Sequence, residues 1–231
     1  MILTDRQKNI LKIIIEEYSK SGKPIASKEL TNLCNFKCSS ATIRSEMNFL
    51  EKEDLLKKLH ISAGRIPTNK GYRFYIGQLM NKENLNSNEK RKIRVKVNKI
   101  KEEKDFEQEL SEILADFSSS LALVGEIKEN HLYFSGLEDL LERVDKEMFS
   151  TIAHFLEEAE RDFESFLGDL EEEPNIFIGK EHPLLRNTQC GLILAPYKKG
   201  RDRGVLALLD SNRMNYEHNL SLLKYINEII N

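Results

Sequence analysis

Apolar side chains recur at helical spacing in four stretches of the first 80 residues. The first stretch opens on a capping-box pattern, in which Thr4 is followed three residues later by Gln7, and it ends at Gly22. The second is short and has Leu30 and Leu33 on its apolar side. This pattern predicts a run of short helices packed around one core.

The third stretch begins at Ser39 or Ser40, either of which can cap a helix, and runs to about Glu53. Its apolar positions fall on one stripe: Ile43, Met47 and Leu50. The opposite side carries small and polar residues: Ala41, Thr42, Ser45 and Asn48, with Arg44 on a flank. Phe49 does not fit, because it projects away from the apolar stripe. The stretch predicts a helix that can approach base edges closely.

Two short segments after this helix, Leu55–His60 and Ile66–Pro67, predict the two strands of a wing. Ser62–Arg65 would form the tip between them. Gly64 would permit a positive φ angle there, and Arg65 would enter the minor groove or hold a phosphate.

Thr68 caps a fourth predicted helix that extends to Met80, and Tyr72 and Tyr75 on this helix are expected to pack in the core of the domain. Together these elements predict a winged helix-turn-helix domain over residues 1–80, whose partner is double-stranded DNA. The predicted base readers on the third helix are Thr42, Arg44, Ser45 and Asn48. The predicted phosphate or wing contacts are Lys37, Ser39, Ser40, His60, Ser62 and Arg65.

A charged segment follows a polar loop at residues 81–88. From Ser87 to about Asp116 its apolar positions predict one amphipathic helix, so residues 81–117 are interpreted as a linker. That helix would pair with its twin in a dimer or pack on its own carboxyl-terminal domain, and the pattern leaves both open.

Residues 118–231 mix short apolar runs with helical periods, which predicts an α+β domain with a central sheet. The predicted strands are 121–127, 131–134, 175–178, 192–196 and 205–210. The predicted helices are 137–141, one or two over 149–170, and 214–230.

The net charge of −3 conceals an asymmetry: residues 1–104 sum to +11 and residues 105–231 to −14. A basic amino half favours a nucleic-acid partner. For the run Lys90–Lys101, however, the alternative that the charges only solvate a helix face stays open. No apolar run approaches the length that spans a bilayer, and with no signal pattern a cytoplasmic location is expected.

Other chemistry finds little support in the sequence. Three cysteines form no disulfide framework, and Cys34 and Cys38 with His60 make a poor metal set, so small buried thiols are favoured. Neither of the glycine-rich phosphate-binding motifs, G-x-x-x-x-G-K-[ST] and G-x-G-x-x-G, occurs in the sequence. No histidine accompanies a serine or cysteine in a recognisable nucleophile-elbow motif. We therefore expect no enzyme activity, no metal and no cofactor.

The assembled motifs resemble the HrcA family of heat-inducible transcription repressors. The amino-terminal matches are Leu3–Gln7, Glu17–Tyr18, Gly22–Pro24, Ser27–Lys28, Ser39–Arg44, Ser62–Thr68 and Gly71–Arg73. The carboxyl-terminal matches are Phe134–Leu137, Ile178–Glu181, Ala195–Tyr197 and Arg213–Tyr216. The resemblance covers residues 1–80 strongly and 131–231 moderately.

The resemblance implies a homodimer that binds an inverted repeat, called CIRCE, upstream of chaperone operons and represses them. It also implies that a GroEL-type chaperonin keeps the repressor active, and that the carboxyl-terminal domain is GAF-like. One departure stands out. Family members usually carry a dimerising insert before the Phe134–Leu137 motif, whereas here residues 121–127 run almost directly into 131–134.

Two alternatives stay open at this point. One is a winged-helix regulator that senses a small ligand through its GAF-like domain, although nothing polar in the sequence marks a pocket. The other is a protein-interaction module whose winged helix does not bind DNA, which the +11 charge of the amino half disfavours.

Overall fold

The computed structural model describes residues 2–33, 39–60, 64–81, 85–128, 131–142, 144–167, 172–185 and 189–231. The chain divides into two compact units, Met1–Met80 and Asn81–Asn231. The first is mainly helical with a small two-stranded sheet, and the second surrounds a larger sheet with helices. The predicted α+β class is therefore confirmed.

Four helices and a hairpin build the first unit. They are α1 (Asp5–Ser21), α2 (Ser27–Leu33), α3 (Ser40–Lys52), β1 (Leu56–Lys58), β2 (Arg65–Pro67) and α4 (Asn69–Gln78). The apolar stripes of the helices meet in one core, whose fully buried members include Ile10, Leu11, Ile14, Met47 and Tyr72. Leu33 was predicted to share this core but is 46% exposed, because α2 ends at this residue.

Side-chain caps fix where these helices begin. The Thr4 hydroxyl accepts a hydrogen bond from the Gln7 backbone N–H, and the Gln7 side chain accepts one from the Thr4 N–H, which completes the predicted capping box. The hydroxyls of Ser39 and Thr68 cap α3 and α4 by accepting from the backbone N–H groups of Thr42 and Gly71. Gly22 ends α1 in the left-handed conformation that glycine adopts without strain. The four helix boundaries predicted from these residues are confirmed.

The wing contains a third backbone segment that the sequence pattern did not indicate. β1 and β2 pair antiparallel, and Ile25, in the turn between α1 and α2, forms a bridge with Arg65 on the other side of β2. The two residues exchange backbone hydrogen bonds of 2.8 and 2.9 Å. The predicted positive φ angle at Gly64 is wrong. Glycine is required here by the close approach of Ile25, whose backbone would lie 2.5 Å from a Cβ on Gly64.

The second unit is built on a five-stranded antiparallel sheet of order β4-β3-β7-β6-β5. The strands are β3 (Leu121–Glu126), β4 (His131–Ser135), β5 (Asn175–Ile178), β6 (Cys190–Lys199) and β7 (Asp202–Ser211). The helices are α5 (Ser87–Ile100), α6 (Phe106–Ser118), α7 (Leu137–Leu141), α8 (Lys146–Arg161), α9 (Phe163–Leu167) and α10 (Tyr216–Ile230). Of the described helices, none has the length and apolar character needed to cross a membrane.

Alternate strand residues face the two sides of this sheet. Leu121, Leu123 and Leu209 share one core with apolar residues of α7, α8 and α9. The opposite side of the sheet contacts α6 and α10, and α5 packs on both of those helices. The central strands are therefore buried on both faces, which explains why they form continuous apolar runs in the sequence.

The segment predicted as one helix from Ser87 to Asp116 is two helices. The five residues from 101 to 105 are all charged and interrupt the apolar period, so the chain turns between α5 and α6. Ile93, Val97 and Ile100 of α5 are buried. Of the two placements left open for this segment, the structure has it packed on its own second unit.

β3 and β4 are neighbours in the sheet and follow one another closely in the sequence. β3 and β4 pair in register from Ala122 opposite Ser135 to Glu126 opposite His131. Only residues 127–130 connect them. Four residues are too few to form an additional domain between the two strands.

The contact between Gly64 and Ile25 leads to a stability prediction. Gly64→Ala should destabilise the first unit by about 1–3 kcal/mol, because the new methyl group has to displace backbone. Gly77→Ala is the matched control: nothing lies within 4 Å of its Cβ position, on the exposed side of α4. This control should be neutral or stabilising by about 0.5–1 kcal/mol. Urea unfolding followed by circular dichroism measures both, and equal stabilities would contradict the packing described.

Candidate nucleic-acid interface

One face of α3 is buried and the other is open. Ile43, Met47 and Leu50 are fully buried, as predicted. On the outer face Arg44, Ser45 and Asn48 are exposed, as is the cap residue Ser39, while Ser40 and Thr42 are half-buried. Phe49 is 37% exposed beside them. The described residues of the predicted reading set thus lie at the start and along the outer side of one helix.

The hydroxyl groups at the start of α3 are already engaged locally. Ser39 Oγ accepts a hydrogen bond from the Thr42 backbone N–H at 3.2 Å and lies 3.0 Å from Thr42 Oγ1. Ser40 Oγ lies 3.4 Å from Ser27 Oγ of α2. The Ser27–Ser40 contact joins the start of α3 to the start of α2.

Arg44 and Ser45 differ from their neighbours. Their side chains make no hydrogen bond or ion pair with any residue that the structure describes. A guanidinium on this face presents a fork of donors that matches the O6 and N7 acceptors of guanine. Arg44 is therefore the cation of α3 that is best placed to meet an external partner.

Arg65 does not lie at the tip of the wing, where the sequence placed it. It is the first residue of β2, and its side chain is only 8% exposed. Nε donates to Glu51 Oε2 at 3.0 Å, and Nη2 lies 2.9 Å from the same oxygen. Nη2 also donates to Asn48 Oδ1. Backbone pairing with Ile25 draws the residue inward, so its guanidinium reaches the last turns of α3.

This contact determines how the Asn48 amide is turned. A guanidinium has donors only, so the atom of Asn48 that faces it must be the carbonyl oxygen. The amide nitrogen is left for an external acceptor. Lys58 Nζ lies 3.3 Å from Glu51 Oε2 and extends the ion-pair cluster to β1.

A second cluster holds the other side of α3. Glu46 Oε2 accepts from Gln7 Nε2 at 3.0 Å, and Glu46 Oε1 lies 3.5 Å from Arg6 Nη1. The sequence identified Gln7 only as part of a capping box. No spacing rule links residues 39 positions apart, so this second role of Gln7 had no signal in the pattern. Glu51 was missed for the same reason.

Several sequence predictions cannot be placed. Lys37 and Ser62 lie outside the described residues, as do Cys34 and Cys38 of the metal set that the sequence disfavoured. His60 is described and exposed after β1, and Lys57 and Lys58 beside it are exposed as well. These two lysines were missed as wing cations, although both stand in the predicted first strand.

Two reactive side chains of the second unit, Cys190 and His182, are buried. Burial, and then the charge of Asp210, raise the pKa of the Cys190 thiol to about 12. Burial lowers the pKa of His182, whose Nε2 donates to the Phe166 carbonyl at 3.1 Å while Nδ1 accepts from the Leu184 N–H. Both groups serve the packing of the unit.

Comparison with known families assigns both units. The model "Winged helix-turn-helix transcription repressor, HrcA DNA-binding" matches residues 2–81, and "HrcA protein C terminal domain" matches residues 80–219. The chain belongs to the HrcA family. The resemblance drawn from the motifs is confirmed.

Curated relatives carry the name "Heat-inducible transcription repressor HrcA". The Enterococcus faecalis protein is 40% identical over 134 residues, which cover 57% of this chain and 38% of that protein. The Bacillus pumilus protein is 39% identical over 138 residues, covering 57% and 39%. The Fructilactobacillus sanfranciscensis protein is 53% identical over 78 residues, covering 34% and 22%. The matched part of the chain thus spans about two fifths, or less, of these HrcA proteins.

A solved structure shares the fold over nearly the whole chain. It is the crystal structure of a hypothetical protein with a TM-score of 0.82, which covers 99% of this chain and 98% of that one. The sequences are 21% identical, so the likeness concerns the fold alone. The GAF-like label for the carboxyl-terminal HrcA domain stays a prediction.

The cluster around Arg65 leads to the second prediction. Arg65→Ala should lower the free energy of unfolding of the first unit by about 1–2 kcal/mol, because it removes three charge-assisted contacts. The matched control is Arg44→Ala, which removes the same charge from an exposed side chain and should change stability by less than about 0.5 kcal/mol. Arg65→Lys should fall between them, since an ammonium cannot bridge Glu51 and Asn48 as a fork. If Arg65→Ala and Arg44→Ala have the same free energy of unfolding, the cluster around Arg65 does not stabilise α3.

Proposed function

We propose that this chain is a sequence-specific repressor of heat-shock chaperone operons and binds a CIRCE-type inverted repeat as a dimer. The observation that carries the proposal is the outer face of α3, which is polar, exposed and flanked by a wing with exposed lysines. The family match and the names of the curated relatives support the same function. Its place of action is the cytoplasm.

In this proposal α3 enters the major groove, and Arg44, Ser45, Thr42 and Asn48 read base edges. Ser39, Ser40, Lys37, His60 and Ser62 contact phosphates. Arg65 acts through Asn48, since it turns the amide nitrogen outward. Asn48 would then donate to an acceptor such as guanine O6 or thymine O4. The bidentate pairing of asparagine with adenine is disfavoured, because it needs both amide atoms.

A dimer is needed because an inverted repeat presents its two half-sites about one helical turn or a multiple apart. The usual insert is replaced here by the β3–β4 hairpin, so the pairing has to use other surfaces or form on the operator itself. We favour cooperative assembly on DNA, in which the operator holds two chains at the correct spacing.

Binding to synthetic operators tests this mode of recognition. We expect two chains per full inverted repeat, and at least tenfold weaker binding to an isolated half-site. Arg44→Ala should weaken operator binding by about 1–3 kcal/mol and relax the preference at one base pair. The measurement is fluorescence anisotropy on the operator and on a set of single-base variants.

Lys20→Ala is the matched control, because it removes one positive charge from the same unit at the exposed end of α1. It should leave the base preference unchanged. An equal loss for Arg44→Ala on operator and random DNA would reassign Arg44 to phosphate contact. Absent or salt-insensitive binding to any duplex would favour the protein-interaction alternative.

We propose further that a GroEL-type chaperonin maintains the active repressor. The support is the family membership and a second unit whose sheet is buried on both faces and pairs strands distant in sequence, a topology that folds slowly. After dilution from urea, chaperonin with ATP should raise the operator-binding fraction severalfold. An excess of an unfolded client protein should cancel the gain. An active fraction that is indifferent to chaperonin would contradict this regulation.

A further inference from the structure

The orientation of α5 in the second unit is fixed by its buried side. Ile93, Val97 and Ile100 form the stripe that packs on α6 and α10. Two basic side chains flank this contact: Lys90 Nζ lies 5.5 Å and Arg94 Cζ 5.7 Å from the centre of the Tyr225 ring. The remaining surface of the helix therefore faces away from the unit.

The charged residues of that outer surface are almost all basic, and the exposed Val95 and Asn98 lie among them. α5 carries six lysines and arginines against one acidic residue, Glu89, which bonds His218 at 2.6 Å. Among the exposed cations only Lys96 has a carboxylate partner in the described part of the chain, Asp116 at 2.7 Å. The outer face of α5 is defined here by the three that contact neither Asp116 nor Tyr225: Arg91, Lys92 and Lys99.

The charge pattern of α5 is unfavourable for an isolated helix. Lys92 and Lys96, and Lys96 and Lys99, stand at the spacings where like charges repel on a helix surface. A helix that only needed solvation would do better with mixed signs, and the second unit as a whole is acidic.

A polyanion relieves this repulsion. Lys92 and Lys99 are seven residues apart, or about 10 Å along a helix. Each strand of B-DNA presents a phosphate about every 3.4 Å along the axis, so several phosphates fall within that span. We propose that the outer face of α5 is a second contact surface for the phosphate backbone of duplex DNA, independent of sequence. The inference rests on the proposed repressor function and adds a site outside the winged helix.

The test is the salt dependence of DNA binding by the full chain. The variant Arg91→Gln/Lys92→Gln/Lys99→Gln should flatten the slope of log K against log salt by about 2–3, at roughly 0.9 for each phosphate that is no longer neutralised. The weakening should be the same on operator and scrambled duplexes, so the ratio of the two affinities stays unchanged. Helical content and the unfolding midpoint should not fall, because the three side chains are exposed.

The matched control is Lys180→Gln/Lys198→Gln/Arg201→Gln, which removes three exposed charges from the same unit away from α5. It should retain the wild-type slope. An unchanged slope for the α5 variant overturns the proposal, as does an equal change in the control, which would indicate only net charge. An unchanged slope with altered sedimentation would assign the face to a protein partner instead.

The two proposals fail in different ways. If the wild-type chain binds duplexes without preferring the operator, the repressor function fails, while the slope of the α5 variant still decides the phosphate surface. If the operator is preferred and the α5 variant keeps its slope, only the phosphate surface fails.

Discussion

The arrangement of the first unit depends on the guanidinium of Arg65. The backbone of Arg65 joins β2 to Ile25, while the side chain of Arg65 reaches Glu51 and Asn48 on α3. A buried cation requires partners, because leaving its donors unsatisfied in a water-poor site costs more than any single contact supplies. β2 and the exposed face of α3 are therefore held in one fixed relation. A DNA duplex would meet both as a single preformed surface, with little ordering left to occur on binding.

The opposite flank of α3 is held by weaker means. Glu46 takes hydrogen bonds from Gln7 and Arg6 of α1, but Arg6 is largely exposed and its pair with Glu46 is long. Exposed ion pairs of this kind contribute little. The apolar stripe anchors α3 in the core, and the polar clusters around Arg65 and Glu46 then determine the rotation of α3 about its own axis.

Local signals predicted most of this fold, and long-range contacts account for the failures. The helix starts could be predicted from the caps Thr4, Ser39 and Thr68, because a cap acts within four residues. The buried stripe of Ile43, Met47 and Leu50 follows from the helical repeat. The position of Arg65 could not be foreseen, since it depends on Ile25, forty residues away. The charged residues 101–105 mark the break between α5 and α6. Apolar positions at helical spacing occur on both sides of it, however, and this favoured a single helix. On α3, the residues facing outward were predictable, and the bonds that orient their polar atoms were not.

The position of β3 and β4 in the sheet determines what a longer connection between them would cost. β4 is an edge strand, and only the four residues 127–130 separate it from β3 in the sequence. Lengthening such a connection costs only loop-closure entropy, about 0.6 kcal/mol for each doubling of length, provided that the ends stay close together. A folded domain whose own termini are adjacent meets that condition. By this argument the sheet would tolerate either four residues or a whole domain between β3 and β4 without any compensating change in the core.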